Sequence, residues 1–230
     1  MILHPGQGTK ACTGQQWKEE TEKMEERNRQ PLLQKAIVFA AMKHESYVRK
    51  GTTIPYFTHV MEAMEIVSRM TEDEEVRAAA VLHDTLEDTP TTKDELVHFF
   101  GERVANLVAA ESENKRKGRP EAETWLERKL ETIQHLEKTG TEIRMIALGD
   151  KLSNIRAIYR DYQVHGDQLW AKFNNPDSRA QGMYYCSLVN AFRTDGFLRE
   201  TPAFKEYADL CAEVFHAQRE PDGQMIVPGN

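Results

Sequence analysis

Three residues stand where the helical period calls for Leu or Ile, namely His59, His83 and Asp150, and Asp84 adjoins His83. Burying a carboxylate without a partner is costly, so buried acids are paired or bind metal. Two imidazoles and two carboxylates offered from three helices suit one divalent cation, such as manganese, iron, zinc or cobalt. A mixed nitrogen and oxygen set without thiolate favours catalysis over a closed structural zinc. Taken singly, these residues have plainer explanations, because a lone His on an apolar face is more often a hydrogen-bonded core histidine. The inward acid Asp150 on a third helix, and a further acid pair one turn beyond His83-Asp84, shift the balance toward a metal site.

That acid pair lies in His83-Asp84-Thr85-Leu86-Glu87-Asp88-Thr89. On a continuous helix His83 faces Glu87, and Asp84 faces Asp88, at i,i+4. A carboxylate one turn from a metal ligand is well placed to orient or deprotonate an attacking water. Acids at a helix C-terminus oppose the helix dipole, which favours a function for Glu87 and Asp88 over a solvated helix end. Upstream, Arg49-Lys50-Gly51 precedes Pro55-Tyr56 and His59. Two adjacent cations beside a metal can hold phosphate, and the guanidinium can stack on a base. Asn154, one turn after Asp150 on the same face, offers an amide to the same ligand.

The elements that must position these side chains read as helices almost throughout. Leu33, Ala36, Ile37, Ala40, Ala41 and His44 recur at helical spacing after Pro31. A second stripe reads His59, Ala63, Ile66, Val67 and Met70. Thr71 to Glu74 has the form of a capping box opening a third helix, with Val76, Ala79, Ala80, His83 and Glu87 on one face. Thr92 to Glu95 repeats that form before Leu96, Phe99 and Phe100, and Val104, Leu107 and Val108 mark a short fifth helix. The segment from Asn114 to Pro120, with Lys115, Arg116, Lys117 and Arg119, reads as basic and exposed. Helices are then predicted from about Glu121 to Lys138, after Gly140 with Asp150 and Asn154 inward, near Asp177 to Phe192, and from Thr201-Pro202. No sustained period-two alternation is present. The expected fold is all-α, a single bundle of about 8–10 helices over residues 30–218. Residues 1–29 read as a poorly ordered lead-in and 219–230 as a tail that should fray.

Composition bounds the functions open to such a chain. Its 230 residues carry 30 Lys+Arg against 37 Asp+Glu, a formal net charge of −7. The length suits one large domain, and a mean hydropathy of −0.64 argues against a membrane-embedded protein. The start lacks the basic and continuous apolar regions of a secretory signal. Cys12, Cys186 and Cys211 are odd in number and unpatterned, which points to a reducing cytoplasm rather than a disulfide framework. The acidic excess argues against a nucleic-acid groove. It leaves room for a small anionic substrate, since a metal and a few local cations outweigh global charge.

With His59, His83-Asp84 and Asp150 on a helical scaffold, the chain resembles the HD-domain metal-dependent phosphohydrolases. More closely, Ala79-Ala80-Val81-Leu82-His83-Asp84-Thr85-Leu86-Glu87-Asp88-Thr89 is similar to the central motif of the hydrolase domains of RelA/SpoT homologues. Arg49 through His59, Phe100 to Val104, and Leu148 to Arg156 fall where that family has comparable segments. The resemblance covers roughly residues 32–160, and more loosely the helices to about 215. It implies removal of the 3′-diphosphate of guanosine tetra- or pentaphosphate, typically with manganese. Carried over by position, His59, His83, Asp84 and Asp150 would hold the metal. Glu87 and Asp88 would position and activate water, and Arg49, Lys50, Lys151 and Asn154 would contact the nucleotide. The sequence departs from the family at Val60, where Pro is usual, at Gly149 and Ser153, and at Glu111-Ser112-Glu113, where a Thr-Lys-like segment is common. The residues leave two alternatives open: a phosphohydrolase for another nucleotide or cyclic nucleotide, and an idle HD scaffold that only binds. The expected partner is a small nucleotide, not a nucleic acid or a membrane, with the oligomeric state unspecified.

Overall fold

The computed structural model describes residues 31–116 and 118–227. The predicted lead-in over 1–29 and Lys117 lie outside the described residues. The chain runs α1 (Leu32–Lys43), α2 (Phe57–Ser68), α3 (Glu74–Leu82), the four-residue α4 (Thr85–Asp88), α5 (Lys93–Phe100), α6 (Glu102–Glu111) and α7 (Glu121–Lys138). There follow the long α8 (Thr141–His165), a 3-10 turn (Gly166–Lys172), α9 (Ser178–Arg193), a second 3-10 turn (Leu198–Glu200) and α10 (Pro202–Phe215). A two-strand antiparallel ribbon, β1 (Gln218–Arg219) and β2 (Met225–Ile226), closes the order. Among the described residues the fold is all-α apart from that ribbon, as the periodicity predicts.

The caps explain where several helices start. Thr92 accepts from the Glu95 amide, Asp177 from the Arg179 and Ala180 amides, and Thr201 from Phe204, with Pro202 in the first turn. At α3 the cap is Asp73, whose carboxylate accepts from the Glu75 and Val76 amides. The expected capping residue, Thr71, instead accepts from the Asp73 amide at 3.1 Å. Asp73 wins because its carboxylate also meets Arg103, with Nη2 to Oδ2 at 2.8 Å.

Two apolar clusters share α8. One gathers Ala36, Ala40, Val60, Val67, Leu82, Leu96 and Val104 around Ile146. The other gathers Leu188, Phe192, Tyr207 and Cys211 around Leu148, Leu152 and Ile155. A helix used on both sides in this way buries most of its circumference, and here the buried residues run from Arg144 to Ile158. Gly149 lets it approach α2 closely, since a Cβ there would stand 2.8 Å from the Ala63 carbonyl oxygen and from Val67 Cγ2. The functional residues sit where α2, the end of α3 and the middle of α8 meet.

Two expectations need correction. Residues 219–227, the described part of the tail expected to fray over 219–230, dock on α9: Asn190 donates to the Met225 carbonyl at 3.1 Å and accepts from its amide at 2.9 Å. Met225 is buried. The predicted helix through Glu87 also breaks at His83-Asp84 and resumes as α4. There the His83 ring and the Thr85 hydroxyl take up the carbonyls of Ala80 and Leu82, at 2.8 and 2.7 Å, in competition with the backbone ladder. Among the described residues, no helix is long and apolar enough to cross a membrane.

Candidate active site

His59 projects from the first turn of α2, His83 follows the end of α3, Asp84 caps α4, and Asp150 comes from the middle of α8. His59, His83 and Asp150 are buried, and they offer ligand atoms that all lie within 4.8 Å of one another. His59 Nε2 stands 3.2 Å from Asp150 Oδ1 and 3.5 Å from Asp84 Oδ2. His83 Nε2 stands 2.9 Å from Asp84 Oδ2 and 3.6 Å from Asp150 Oδ1.

The donor set fits a divalent cation. Ligand atoms held about 2.1 Å from one ion at tetrahedral or octahedral angles lie about 3.0–3.4 Å apart, close to the separations observed. Both Nε2 atoms are buried and lack a hydrogen-bond partner in proper geometry. The opposite nitrogens are engaged: His83 Nδ1 meets the Ala80 carbonyl at 2.8 Å, and His59 Nδ1 meets Ser153 Oγ at 2.8 Å. A carbonyl only accepts, so a neutral His83 carries its proton on Nδ1 and turns a lone pair toward the two acids. Lone pairs converging from four side chains require a positive charge between them.

The local electrostatics carry the same demand. Burial opposes a charged His83 ring, but Asp84 and Asp150 overcome it and hold the imidazole well above its ordinary range. Burial likewise opposes ionised Asp84, yet the His83 charge and the neighbouring His59 ring hold that carboxyl well below the usual range. Asp150 is held low in the same way, by Lys151 and the two rings against the cost of burial. Tyr56 donates to Asp84 Oδ2 at 2.6 Å, which aims that carboxylate.

A cleft of about 310 Å³ opens from this cluster, and Glu87, Asp88, Lys50, Lys151 and Asn154 all line it. Burial first, and then the charge of Asp84, push the Glu87 carboxyl up to about 7. Glu87 accepts from the Glu113 amide, and Asp88 pairs with Lys115. Asn154 donates to Asp150 Oδ1 at 2.5 Å and accepts from Arg49 at 3.2 Å. Arg49 opens on an adjoining cleft of about 460 Å³, which Lys50, Asn154 and Tyr185 also line. The loop carrying Arg49 and Lys50 is pinned by a bridge between Val48 and Pro55, and Gly51 turns it at φ +75°. Lys50 reaches Asn174 Oδ1 at 2.5 Å, so the loop also meets the segment before α9.

The pattern of the HD domain (HD_4) matches residues 36–178, over half the chain and including His59, His83, Asp84, Glu87, Asp88 and Asp150. The chain is an HD-domain protein. It is 37% identical over 134 residues, covering 56% of this chain and 70% of the relative, to the guanosine-3′,5′-bis(diphosphate) 3′-pyrophosphohydrolase MESH1 of Danio rerio. A second relative, the guanosine-3′,5′-bis(diphosphate) 3′-pyrophosphohydrolase of Aquifex aeolicus, is 36% identical over 129 residues, 55% of this chain but only 18% of that protein. Among solved structures, a metazoan orthologue of SpoT that hydrolyses ppGpp superposes with a TM-score of 0.62 at 26% identity. It covers 80% of this chain and 95% of its own.

The cleft of this HD domain holds residues that spacing had not marked. Lys115, expected on an exposed basic segment, pairs with Asp88 and stands 3.6 Å from Glu87. Its neighbour Arg116 turns to Glu127 and Glu131 on α7. From α7 itself come Trp125, Arg128 and Lys129, with Arg128 and Lys129 both paired to Glu113. Trp125 and Arg128 are i,i+3 and both buried, so Arg128 was the same anomaly as His59, a charge on an inner stripe. Lys115 lies in a loop, where no period marks direction. Glu111 also lines the cleft, its carboxyl pushed up to about 8 by burial, with Lys151 opposing and Asp150 adding to the rise.

Proposed function

We propose that this protein is a metal-dependent phosphohydrolase that removes the 3′-diphosphate of guanosine 3′,5′-bis(diphosphate) or its pentaphosphate form, giving GDP or GTP and pyrophosphate. Manganese is the favoured ion, with iron, zinc or cobalt as substitutes, and the setting is a reducing cytoplasm. The observation that carries the reading is the pair of buried, unpartnered Nε2 atoms of His59 and His83 facing Asp84 and Asp150 at the mouth of a cation-lined cleft. The activity named for the Danio rerio relative, at 37% identity, supports the choice of substrate, and the free Cys186 and Cys211 fit the compartment.

In this reading His59, His83, Asp84 and Asp150 hold the cation. When bound, it polarises phosphoryl oxygens and lowers the pKa of water. Glu87, with a carboxyl near 7, is matched to neutral pH as a general base that takes the proton of the attacking water. Asp88 orients that water and is itself held by Lys115. Lys151, Lys115, Arg128 and Lys129 line the same cleft and neutralise charge as pyrophosphate leaves. Arg49, Lys50 and Asn154 border the adjoining cleft and bind the nucleoside side of the substrate. The test is product analysis with manganese and guanosine tetraphosphate, beside GTP, dGTP and cyclic nucleotides. Pyrophosphate and GDP formed from the tetraphosphate alone support the proposal. Turnover of another member instead reassigns the substrate, and metal binding without any turnover makes the protein a binding module.

A further inference from the structure

Behind His59 a chain of hydrogen bonds runs away from the cleft. His59 Nδ1 lies 2.8 Å from Ser153 Oγ, and Ser153 Oγ donates to Glu62 Oε2 at 2.8 Å. Arg156 Nη1 donates to Glu62 Oε1 at 3.1 Å. Arg156 is also held by both oxygens of Glu206, each at 2.6 Å. The spacing is regular: Glu62 follows His59 by three residues on α2, while Ser153 and Arg156 follow Asp150 by three and six on α8. Residues three apart on a helix are neighbours on one face, so each helix supplies a ligand and, one turn on, a support. His59 and Ser153 are 2% and 1% exposed, which leaves water little access to either.

The proton count along this chain has one solution. A hydroxyl has a single proton, and a carboxylate bonded to Arg156 offers lone pairs only. The Ser153 proton therefore points at Glu62, and Ser153 turns a lone pair toward His59. Nδ1 must then be the protonated nitrogen of a neutral His59 ring, and Nε2 keeps its lone pair facing Asp84 and Asp150. We infer that Glu62 and Ser153 are positioning residues of the metal centre, locking His59 in the tautomer and orientation that present Nε2 as a ligand. The inference rests on the proposed reading of His59 as a ligand, but the tautomer can be observed without any metal.

A one-atom change distinguishes this relay from simple packing. In Glu62→Gln, Arg156 can only donate, so it takes the amide oxygen and turns the NH2 toward Ser153. Ser153 then accepts from Gln and donates its own hydrogen bond to His59 Nδ1, so that the ring proton sits on Nε2. Glu62→Ala removes the bias without reversing it, and Ser153→Ala leaves Nδ1 without its partner. The experiment is long-range 15N–1H NMR of the imidazole rings in metal-free protein at alkaline pH, joined to calorimetric titration with Mn2+.

Wild-type protein is expected to show His59 protonated on Nδ1, and Glu62→Gln to show it on Nε2, with the His83 ring unchanged in both. Mn2+ affinity should fall about 10–100-fold in Ser153→Ala and Glu62→Gln, and less in Glu62→Ala. If Glu62→Gln fails to give a folded spectrum, the wild-type tautomer and the Ser153→Ala titration decide the matter. An Nε2-protonated wild-type ring, or a folded Glu62→Gln with unchanged tautomer and affinity, overturns the relay. A wild-type protein with the expected tautomer that binds no divalent metal instead overturns the metal reading, and with it the positioning role.

Discussion

Glu87→Gln should raise the stability of the protein while removing its turnover. The Glu87 carboxyl lies near 7 in the folded chain against an ordinary value of 4.5, chiefly because of burial and then because of Asp84. The folded state thus prefers the neutral acid. The stabilisation this gives is complete below about pH 4.5 and is lost as pH rises through about 7. At about 1.36 kcal/mol per pH unit, the gap between 4.5 and about 7 makes the ionised form roughly 3 kcal/mol worse in the folded protein. The side chain is only 17% exposed, so solvent screening removes little of that. Glutamine has the same shape, keeps an oxygen to accept from the Glu113 amide, and never ionises. Metal-free Glu87→Gln should therefore match wild type near pH 4 and exceed it by up to roughly 3 kcal/mol near pH 8. For a chain of this size that is a melting temperature higher by roughly 6–12 °C. Thermal or urea melts of both proteins at the two pH values measure it. With manganese, phosphohydrolysis should fall about 10²–10⁴-fold while metal remains bound. Equal stability at pH 8 would refute the buried, strained carboxylate, and full turnover would refute its role as base.

Asp150→Ala should abolish metal binding, since it removes a ligand from the cluster and leaves Lys151 without its partner; metal analysis of the purified variant checks it, and retained metal would remove Asp150 from the ligand set. Arg128→Met should lower kcat/KM about 10–100-fold, the loss expected for one charged hydrogen bond, with manganese affinity unchanged, as read from steady-state kinetics beside a metal titration. Asn190→Ala should free the terminal ribbon by removing both bonds to Met225. Limited proteolysis after about residue 217 should then quicken, and an unchanged cleavage rate would show that Met225 burial alone holds the tail.

Much of the protein is decided by short-range pattern. Helix periods place His59, His83 and Asp150 on inner faces, and burial makes those polar residues conspicuous, because an unpaired buried ion is intolerable. Thr92 and Thr201 are legible as caps, since a cap needs only a side chain and an amide two or three residues on. The all-α class follows from the same periodicity. What the tertiary structure alone decides depends on partners distant in the chain. Asp73 displaces Thr71 as the cap of α3 because Arg103, thirty residues later, completes its carboxylate. The break in the helix through Glu87 is a local exception, since His83 and Thr85 take carbonyls three residues back, a competition that helical period does not register. Lys115 turns inward because Asp88 and Glu87 wait there, and no spacing within a loop encodes that direction. The tail is held by Asn190, thirty-five residues away. Local periodicity says which face of a helix is buried; only the packed chain says which charge meets which, because ion pairs and hydrogen bonds form between neighbours in space.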